Sequence, residues 1–331
     1  MSTTQFSSSR RQLLGAIPAL GLLTATGFVH SAHASDLQKN TTTDGPVTFY
    51  AEMRVAQPNK AGFDTGMQAF AKAMQRKGAL AVTLKQMVGD STMVKNYPAS
   101  YKGVLRSAYA DGAQSGTLPL FYSLFVRFPD LQTLRAANAD AVFDLDVLPH
   151  LHGVTQQDGK MRESQQPMVV YRGIFETILA GDRHGIYNDR NALLGFLSQP
   201  VDNQAPTLVT VENHVFVPEH LVTNFDQTIP ALLKVAQETY QPASDANLIG
   251  QPGAVDNLHY RKAMSTEILR CITTDGDLRA YIMHGIWESV WDHENSHLDT
   301  RFKAAAAPVG AMVAVGPVEP FYLTQLTLLK G

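Results

Sequence analysis

Two stretches of the sequence decide the fold: residues 47–55, which read VTFYAEMRV, and residues 207–219, which read TLVTVENHVFVPE. In the first stretch, apolar residues from Phe49 to Val55 alternate with Tyr, Glu and Arg. In the second stretch, valines alternate with polar residues in the same way. A period of two predicts a half-buried β-strand in both places.

The elements predicted after these two strands come in the same order. After the first strand, the apolar spacing predicts a helix (62–77), a strand (80–88), a loop-like stretch (89–117), a strand (118–128), a helix (129–151), a polar stretch (153–166) and a strand (167–181). After the second, it predicts a helix (219–239), a segment that fits either a strand or a helix (258–272), a strand (279–290), a helix (291–307) and a strand (319–331).

The repeated order β-α-β-β-α-β is that of a ferredoxin-like unit. We therefore expect an α+β fold with two such units, residues 47–181 and 207–331, joined by a linker at 182–206. Helices cover only one face of each four-stranded sheet, so the other face needs a partner. The two bare faces are expected to pack together as an intramolecular dimeric α/β barrel, whose interior is a natural place for a ligand.

The N-terminus predicts export. Residues 1–34 contain an arginine pair, a weakly apolar stretch and a small-residue ending at Ala34, which together are typical of a cleaved signal peptide. The string SRRQLL resembles the twin-arginine export motif, although two arginines also begin some ordinary secretory signals. We expect the twin-arginine translocase as a partner, cleavage near Ala34, a flexible lead-in at 35–46 and a periplasmic location. No second long apolar segment follows, so no stable membrane span is expected.

The composition limits which partners and which kinds of site are expected. The chain has 331 residues, 44% of them hydrophobic and 17% charged, which favours a well-packed core. Its net charge of −3 gives no basic excess, so nucleic acid is not an expected partner. Cys271 is the only cysteine, which excludes an internal disulfide and any metal site built from several cysteines.

Residues 293–297 read HENSH, which matches the H-E-x-x-H motif of zinc metalloproteases. On a helix, His293 and His297 would share one face, and the intervening Glu could act as a general base. Such an enzyme needs a third protein ligand, but no histidine follows His297, and beyond Asp299 the only carboxylate is Glu319, beside a predicted strand. We therefore expect no metal, with His293 and His297 left as an alternative metal pair.

Three short strings resemble the antibiotic biosynthesis monooxygenase (ABM) superfamily: AEMRV at 51–55, VENHV at 211–215 and IWES at 286–289. The first two are similar to the opening strand of that superfamily, and IWES with its following helix looks like the third strand and second helix. The resemblance covers most of the chain after the signal peptide as two diverged copies. It implies the same barrel fold and a functional Asn at Asn213, where the first copy has Met53.

The resemblance also implies a function. Cofactor-independent members of the superfamily oxidise polyphenols and quinols, and the substrate itself supplies electrons to dioxygen after deprotonation. By this resemblance we expect a monooxygenase that acts with dioxygen on a small aromatic or quinol and needs no cofactor. The expected catalytic residues are Asn213, Trp287 and His297, and the expected substrate-binding residues are Trp291, His284 and His214.

Two alternatives stay open. Haem-degrading members of the superfamily ligate iron through a His that the resemblance would put among residues 304–307, where this chain has only alanine. A haem-binding or haem-degrading protein would therefore need another ligand, such as His293 or His297. The second alternative is a non-catalytic periplasmic protein that binds a small molecule or acts in stress.

Overall fold

The computed structural model describes residues 43–90, 115–116, 118–157, 160–167, 169–200, 207–238, 263–297 and 299–329. The predicted signal peptide and most of the lead-in lie outside the described residues. So do most of the predicted loop at 89–117 and the first five residues of the segment 258–272.

The strands in this part of the chain are β1 (Val47–Val55), β2 (Ala81–Asp90), β3 (Leu120–Phe128), β4 (His152–Gln157), β5 (Lys160–Pro167), β6 (Tyr171–Asp182), β7 (Gly185–Tyr187), β8 (Val209–Pro218), β9 (Ser265–Asp275), β10 (Leu278–Trp287), β11 (Val315–Val318) and β12 (Pro320–Leu329). The helices are α1 (Lys60–Arg76), α2 (Leu131–Ala137), α3 (Ala139–Asp146), α4 (Arg190–Ser198), α5 (Val222–Glu238), α6 (Val290–Ser296) and α7 (Thr300–Gly310). The segment that fitted either class is therefore a strand, β9.

Eight of the strands close into an antiparallel barrel. Around the barrel the order is β6, β1, β3, β2, β12, β8, β10 and β9, and β9 pairs with β6 to complete the ring. The first four of these strands come from the first half of the chain and the other four from the second half. The expected α+β class and the closed barrel are confirmed. No helix in the described ranges has the length and apolar character that a membrane crossing requires.

The helices cover the outside of the barrel, and the apolar alternation of the strands explains why. In β1, the predicted apolar set that includes Phe49 and Met53 is fully buried against Phe63 and Phe70 of α1. In the second half, Val215 and the apolar face of α5 form the corresponding layer. The prediction of half-buried strands was incomplete, because the barrel also encloses the inward face of β1, where Tyr50 is fully buried.

The polar stretch and two of the predicted helices differ from the prediction. The polar stretch 153–166 lies mostly in the hairpin of β4 and β5, which forms a separate two-stranded sheet. The expected helix at 129–151 is split at Asn138, whose φ of 52° is left-handed, into α2 and α3. The expected helix at 291–307 is likewise split into α6 and α7, with Asp299 capping α7 by accepting a hydrogen bond from the backbone N–H of Arg301.

The segment predicted as a linker, 182–206, contains regular structure. The strand β7 pairs with the end of β6, and α4 begins at Asp189, whose side chain accepts a hydrogen bond from the N–H of Ala192. Leu193 and Leu197 of α4 are buried. The helix lies at one end of the barrel, where Leu197 faces Arg127 and Glu267 across a small cavity.

The interior of the barrel contains charged and polar side chains beside apolar ones, and several of the polar contacts join the two halves. Arg127 on β3 forms an ion pair of 2.5 Å with Glu267 on β9, and the two side chains are 2% and 1% exposed. Lys85 on β2 donates to the hydroxyl of Thr210 on β8 at 3.0 Å. Because these charges are out of water, each half depends on the other to satisfy them.

The Arg127–Glu267 pair gives the first prediction. Arg127→Met leaves the Glu267 carboxylate buried without its cation, so we expect a loss of about 3 kcal/mol or more in the free energy of unfolding, measured by urea denaturation. Lys60→Met breaks the exposed Lys60–Asp64 pair, whose side chains are 44% and 42% exposed, and is expected to cost under about 1 kcal/mol. Equal costs for the two variants would contradict the prediction.

Candidate functional site

Two rows of inward-facing side chains run across neighbouring strands of the barrel, one row in each half. In the first half, Glu52 on β1 pairs with Ser123 on β3, and Ser123 pairs with Lys85 on β2. The corresponding row on β8, β10 and β9 is Glu212, His284 and Glu267. Both rows therefore begin with a glutamate. The third residue is a lysine in the first half and a glutamate in the second half.

Four side chains from the two halves meet at one end of this interior, and we call Tyr50, Glu52, Glu212 and His214 the glutamate–histidine cluster. The Tyr50 hydroxyl lies 2.8 Å from Glu52 Oε1 and 2.9 Å from Glu212 Oε2. His214 Nε2 lies 3.3 Å from Glu52 Oε1 and 3.5 Å from Glu212 Oε2, which are ion-pair contacts rather than well-aligned hydrogen bonds. Ser123 donates to the other oxygen of Glu212 at 2.6 Å.

The surroundings set the protonation of this cluster. Burial, and then the charges of Glu212 and Glu52, raise the pKa of Tyr50 well above its usual value, so the phenol stays a donor. Burial lowers the pKa of His214, but the charge of Glu52 and the contact with Glu212 outweigh burial and raise it overall. The imidazole is therefore held closer to its protonated form than a free histidine at neutral pH.

The cluster lies where the interior meets the solvent. The side chains of His214 and Glu52 are 19% and 26% exposed, whereas Glu212 is fully buried. Two residues further along β1, Arg54 lies over the ring of Phe121 at 5.2 Å, and burial lowers the pKa of its guanidinium. Its Nε is buried and has no hydrogen-bond partner within the part of the chain that is described.

On the other side of the cluster the barrel is filled by apolar side chains. Tyr50 packs there in one buried group with Phe125, Phe175, Leu269, Cys271 and Ile282. Cys271 is a buried free cysteine. In the described part of the chain, these side chains occupy the interior next to Tyr50.

A chain of charged groups lies in the same two rows, against Phe125 of that apolar group. His284 Nε2 lies 2.6 Å from Lys85 Nζ, and its Nδ1 lies 3.7 Å from Glu267. Burial, with the charges of Lys85 and Arg127, lowers the pKa of His284 well below its usual value. His284 is thus a neutral acceptor for the lysine. The adjoining cavity of about 10 Å³ has room for roughly one water molecule.

A separate group of residues lies on the outer face of the barrel, around α6. The ring of His293 is 5.2 Å from that of Trp287 and 4.7 Å from that of His297, measured between centroids. Burial, and then the charge of the neighbouring imidazole, lowers the pKa of His293; burial, and then the charge of Lys303, lowers that of His297 to about 4. The carboxylate of Glu319 reaches the same place.

Both groups contain possible metal ligands. His293, His297 and Glu319 each offer one ligand atom within 4.8 Å of the others, and so do Glu52, Glu212 and His214. In the second set, however, Tyr50 and Ser123 already donate hydrogen bonds to the carboxylates. The outer set combines two imidazoles with one carboxylate, which is a donor set that zinc accepts.

The structure divides the predicted site residues between these places. His214 and His284 lie inside the barrel, whereas Trp287 and His297 lie outside it around His293. Asn213 shares the outward face of β8 with Val211 and Val215, since neighbouring residues of a strand point to opposite faces. The side chain of Trp291 lies outside the described residues. The expected catalytic set and the two interior histidines therefore do not share one pocket.

Sequence reasoning did not select Glu52, Glu212 or Tyr50, the other members of the glutamate–histidine cluster. A signal for two of them was present, because Glu52 and Glu212 stand at equivalent places in AEMRV and VENHV. A carboxylate repeated on the inward face of both opening strands should meet its counterpart once the barrel closes. Glu319 was considered only as a distant residue beside a strand.

Two family models match parts of this chain. Residues 46–133 match the ABM-like domain, and residues 178–325 match the CT0912-like, C-terminal domain. The first match supports the resemblance drawn from AEMRV and covers the first row of interior residues. No curated protein matches the chain.

Several solved structures have a similar fold over most of the chain. An anthrone oxidase-like protein is 14% identical, with 88% of this chain and 96% of that chain covered and a TM-score of 0.48. A candidate monooxygenase from Fusobacterium nucleatum is 8% identical, with 87% and 95% covered and a TM-score of 0.47. A DypB variant from Rhodococcus jostii RHA1, in complex with heme, is 10% identical, with 87% and 96% covered and a TM-score of 0.38.

The raised pKa of His214 gives the second prediction. A group whose pKa is higher in the folded than in the unfolded chain stabilises the fold fully below the unfolded value, about 6.5, and stops doing so as the pH rises through the folded value. His214→Gln should therefore cost more stability at pH 6 than at pH 9, by on the order of 1 kcal/mol. Urea denaturation of both proteins at both pH values measures this.

The matched control is His220→Gln, which removes an exposed histidine outside the cluster. A cost for His214→Gln that stays constant or grows with pH would show that Glu52 and Glu212 do not stabilise the imidazolium.

Proposed function

We propose that the protein is a cofactor-independent monooxygenase of the ABM type and that the glutamate–histidine cluster is its acid–base site. The observation that carries the proposal is the meeting of Glu52, Glu212 and His214 at the solvent-exposed end of the barrel interior. Two carboxylates and an imidazole can accept a proton from a phenol and return it later. The match of residues 46–133 to the ABM-like domain supports the same class.

The proposed substrate is a small phenol or quinol with a free ring position. Glu52 removes the hydroxyl proton, and the electron-rich ring carbon adds dioxygen, which takes a proton from the His214 imidazolium to form a hydroperoxide. Loss of the ring C–H proton then breaks the O–O bond and releases water. One oxygen atom becomes a carbonyl of the quinone and the other leaves as water, so the substrate supplies all four electrons.

The neighbouring groups suit these steps. Tyr50 carries a single hydroxyl proton but contacts both carboxylates, so it can donate to only one at a time. A proton can therefore pass between Glu52 and Glu212 with little movement of heavy atoms. Arg54 lies on the same side of β1 as Glu52, with a buried Nε free to stabilise negative charge on the substrate oxygen.

We also propose that the two halves are diverged copies of one ferredoxin-like unit. Both have the same strand order, β6–β1–β3–β2 and β12–β8–β10–β9. Both opening strands bear an inward Glu at the equivalent place. The cluster then belongs to neither half, since each contributes one carboxylate.

The third prediction concerns activity. With a panel of phenols and quinols, Glu52→Gln and His214→Gln should lower the rate of oxygen uptake by about 100-fold or more, because the first removes a proton acceptor and the second a proton donor. Labelled dioxygen should place one oxygen atom in the product. Asn213→Ala and Trp287→Phe, which change the outer residues that the resemblance implicates, should keep most of the rate.

The opposite pattern, with activity lost in the outer variants and kept in Glu52→Gln, would move the site to the outer face of the sheet. A stoichiometric Soret band on titration with haemin would favour the haem alternative. A folded protein that takes up no oxygen with any substrate would favour the binding or stress protein.

We propose that the protein is exported through the twin-arginine route to the periplasm, on the basis of the SRRQLL string and the ending at Ala34. As the fourth prediction, replacing Arg10 and Arg11 together with lysine should stop export, and the exported wild-type protein should begin at Ser35 by mass spectrometry. Unchanged export of the double variant would indicate the ordinary secretory route.

A further inference from the structure

The two histidines of HENSH take no part in the proposed oxygenase site. His293 lies in α6 and His297 directly after it, on the outer face of the barrel. His293 is 3% exposed and packs between the rings of Trp287 and Phe321. The ring of His297 packs against Phe302 at 5.3 Å. The pair thus lies in a mainly apolar environment.

A third ligand comes from a different part of the fold. Glu319 joins β11 to β12, and both strands pair with β8, at Val318 and Phe321. These pairings hold Glu319 near α6, and the residue is only 4% exposed. One ligand atom from each of His293, His297 and Glu319 lies within 4.8 Å of the other two. The missing ligand that argued against a metal in the sequence is present in the fold.

We propose that His293, His297 and Glu319 form a binding site for a divalent transition metal of the zinc type. Two imidazoles and one carboxylate are a donor set that zinc accepts, with the fourth position left to water or another small ligand. In a tetrahedral site with bonds of about 2.0–2.1 Å, ligand atoms lie roughly 3.4 Å apart. Side-chain movements of about 1 Å would bring these three atoms to that spacing.

A second observation points to the same place. The Nδ1 of His297 is buried and has no hydrogen-bond partner within the described part of the chain. A buried polar atom without a partner costs about 1–3 kcal/mol. The rings of Trp287, Phe302 and Phe321 are apolar and offer this nitrogen no partner, whereas a metal ion would be one.

The metal would connect α6 to the junction of β11 and β12, so it should stabilise the second half of the chain. The site lies on the opposite face of the sheet from the glutamate–histidine cluster and does not depend on the proposed oxygenase function. Removal of the metal with a chelator should therefore leave oxygen uptake unchanged.

The test, our fifth prediction, is zinc titration of the metal-free full chain against a chromophoric competitor. Wild type should bind about one zinc ion per chain, with a concentration-dependent rise in Tm. Since even loss of a group that supports a ligand weakens zinc binding about 10–100-fold, His297→Gln and Glu319→Gln should each weaken it by at least about tenfold. His220→Gln, which removes an exposed histidine, should bind as wild type does.

Circular dichroism of the metal-free variants shows whether they fold. X-ray absorption of zinc-loaded wild type gives a result that needs no variant: two imidazoles and oxygen ligands at about 2.0–2.1 Å are expected. Absence of saturable zinc binding to wild type, a ligand shell without two imidazoles, or unchanged affinity in both folded variants would overturn the proposal.

Discussion

The barrel depends on the pairing of buried charges across its two halves. The first half supplies mainly donors, Lys85, Ser123 and Arg127, and the second half supplies the acceptors Glu212 and Glu267. The third residue of each row is charged, but the charges differ in sign: Lys85 in the first half is positive and Glu267 in the second half is negative. Two identical units would put like charges at those places, so the difference between the halves is what makes them complementary.

We infer that such pairing contributes to the specificity of closure as well as to stability. Moving ions out of water costs several kcal/mol each, and the attraction within a pair offsets that cost only when the geometry is good. A wrong register between the halves would leave Arg127, Lys85 and two glutamates buried without partners. The correct closure is therefore favoured over alternatives that an apolar interior would tolerate. The proposed site arises where this polar network reaches the solvent, at Glu52 and His214.

The sequence was a good guide to the elements and to closure of the sheet, because the outer face of each strand has an apolar period of two. It was a poorer guide to the hairpin of β4 and β5, whose sequence is polar and which forms a separate two-stranded sheet. The break at Asn138 depends on one left-handed residue inside a continuous apolar pattern. The elements were predicted from the local hydrophobic period. Neither the hairpin nor the break at Asn138 changes that period.

The site was predictable only in part. Alternation alone separates Asn213, which shares a face with Val211 and Val215, from His214, which shares one with Glu212. The resemblance drew attention to Asn213, whereas the repeated inward glutamates indicated the barrel interior. The approach of Glu319 to His293 could not be predicted, since it depends on the pairing of β11 and β12 with β8.

A double-mutant cycle on Arg127 and Glu267 tests the central claim most directly, because it isolates the coupling between one charge from each half. Urea denaturation of wild type, Arg127→Met, Glu267→Gln and the double variant supplies the four free energies of unfolding. The account predicts a coupling of about 2 kcal/mol or more, as measured for other close buried charge pairs. A coupling within error of zero would contradict the claim that buried charges hold the two halves together.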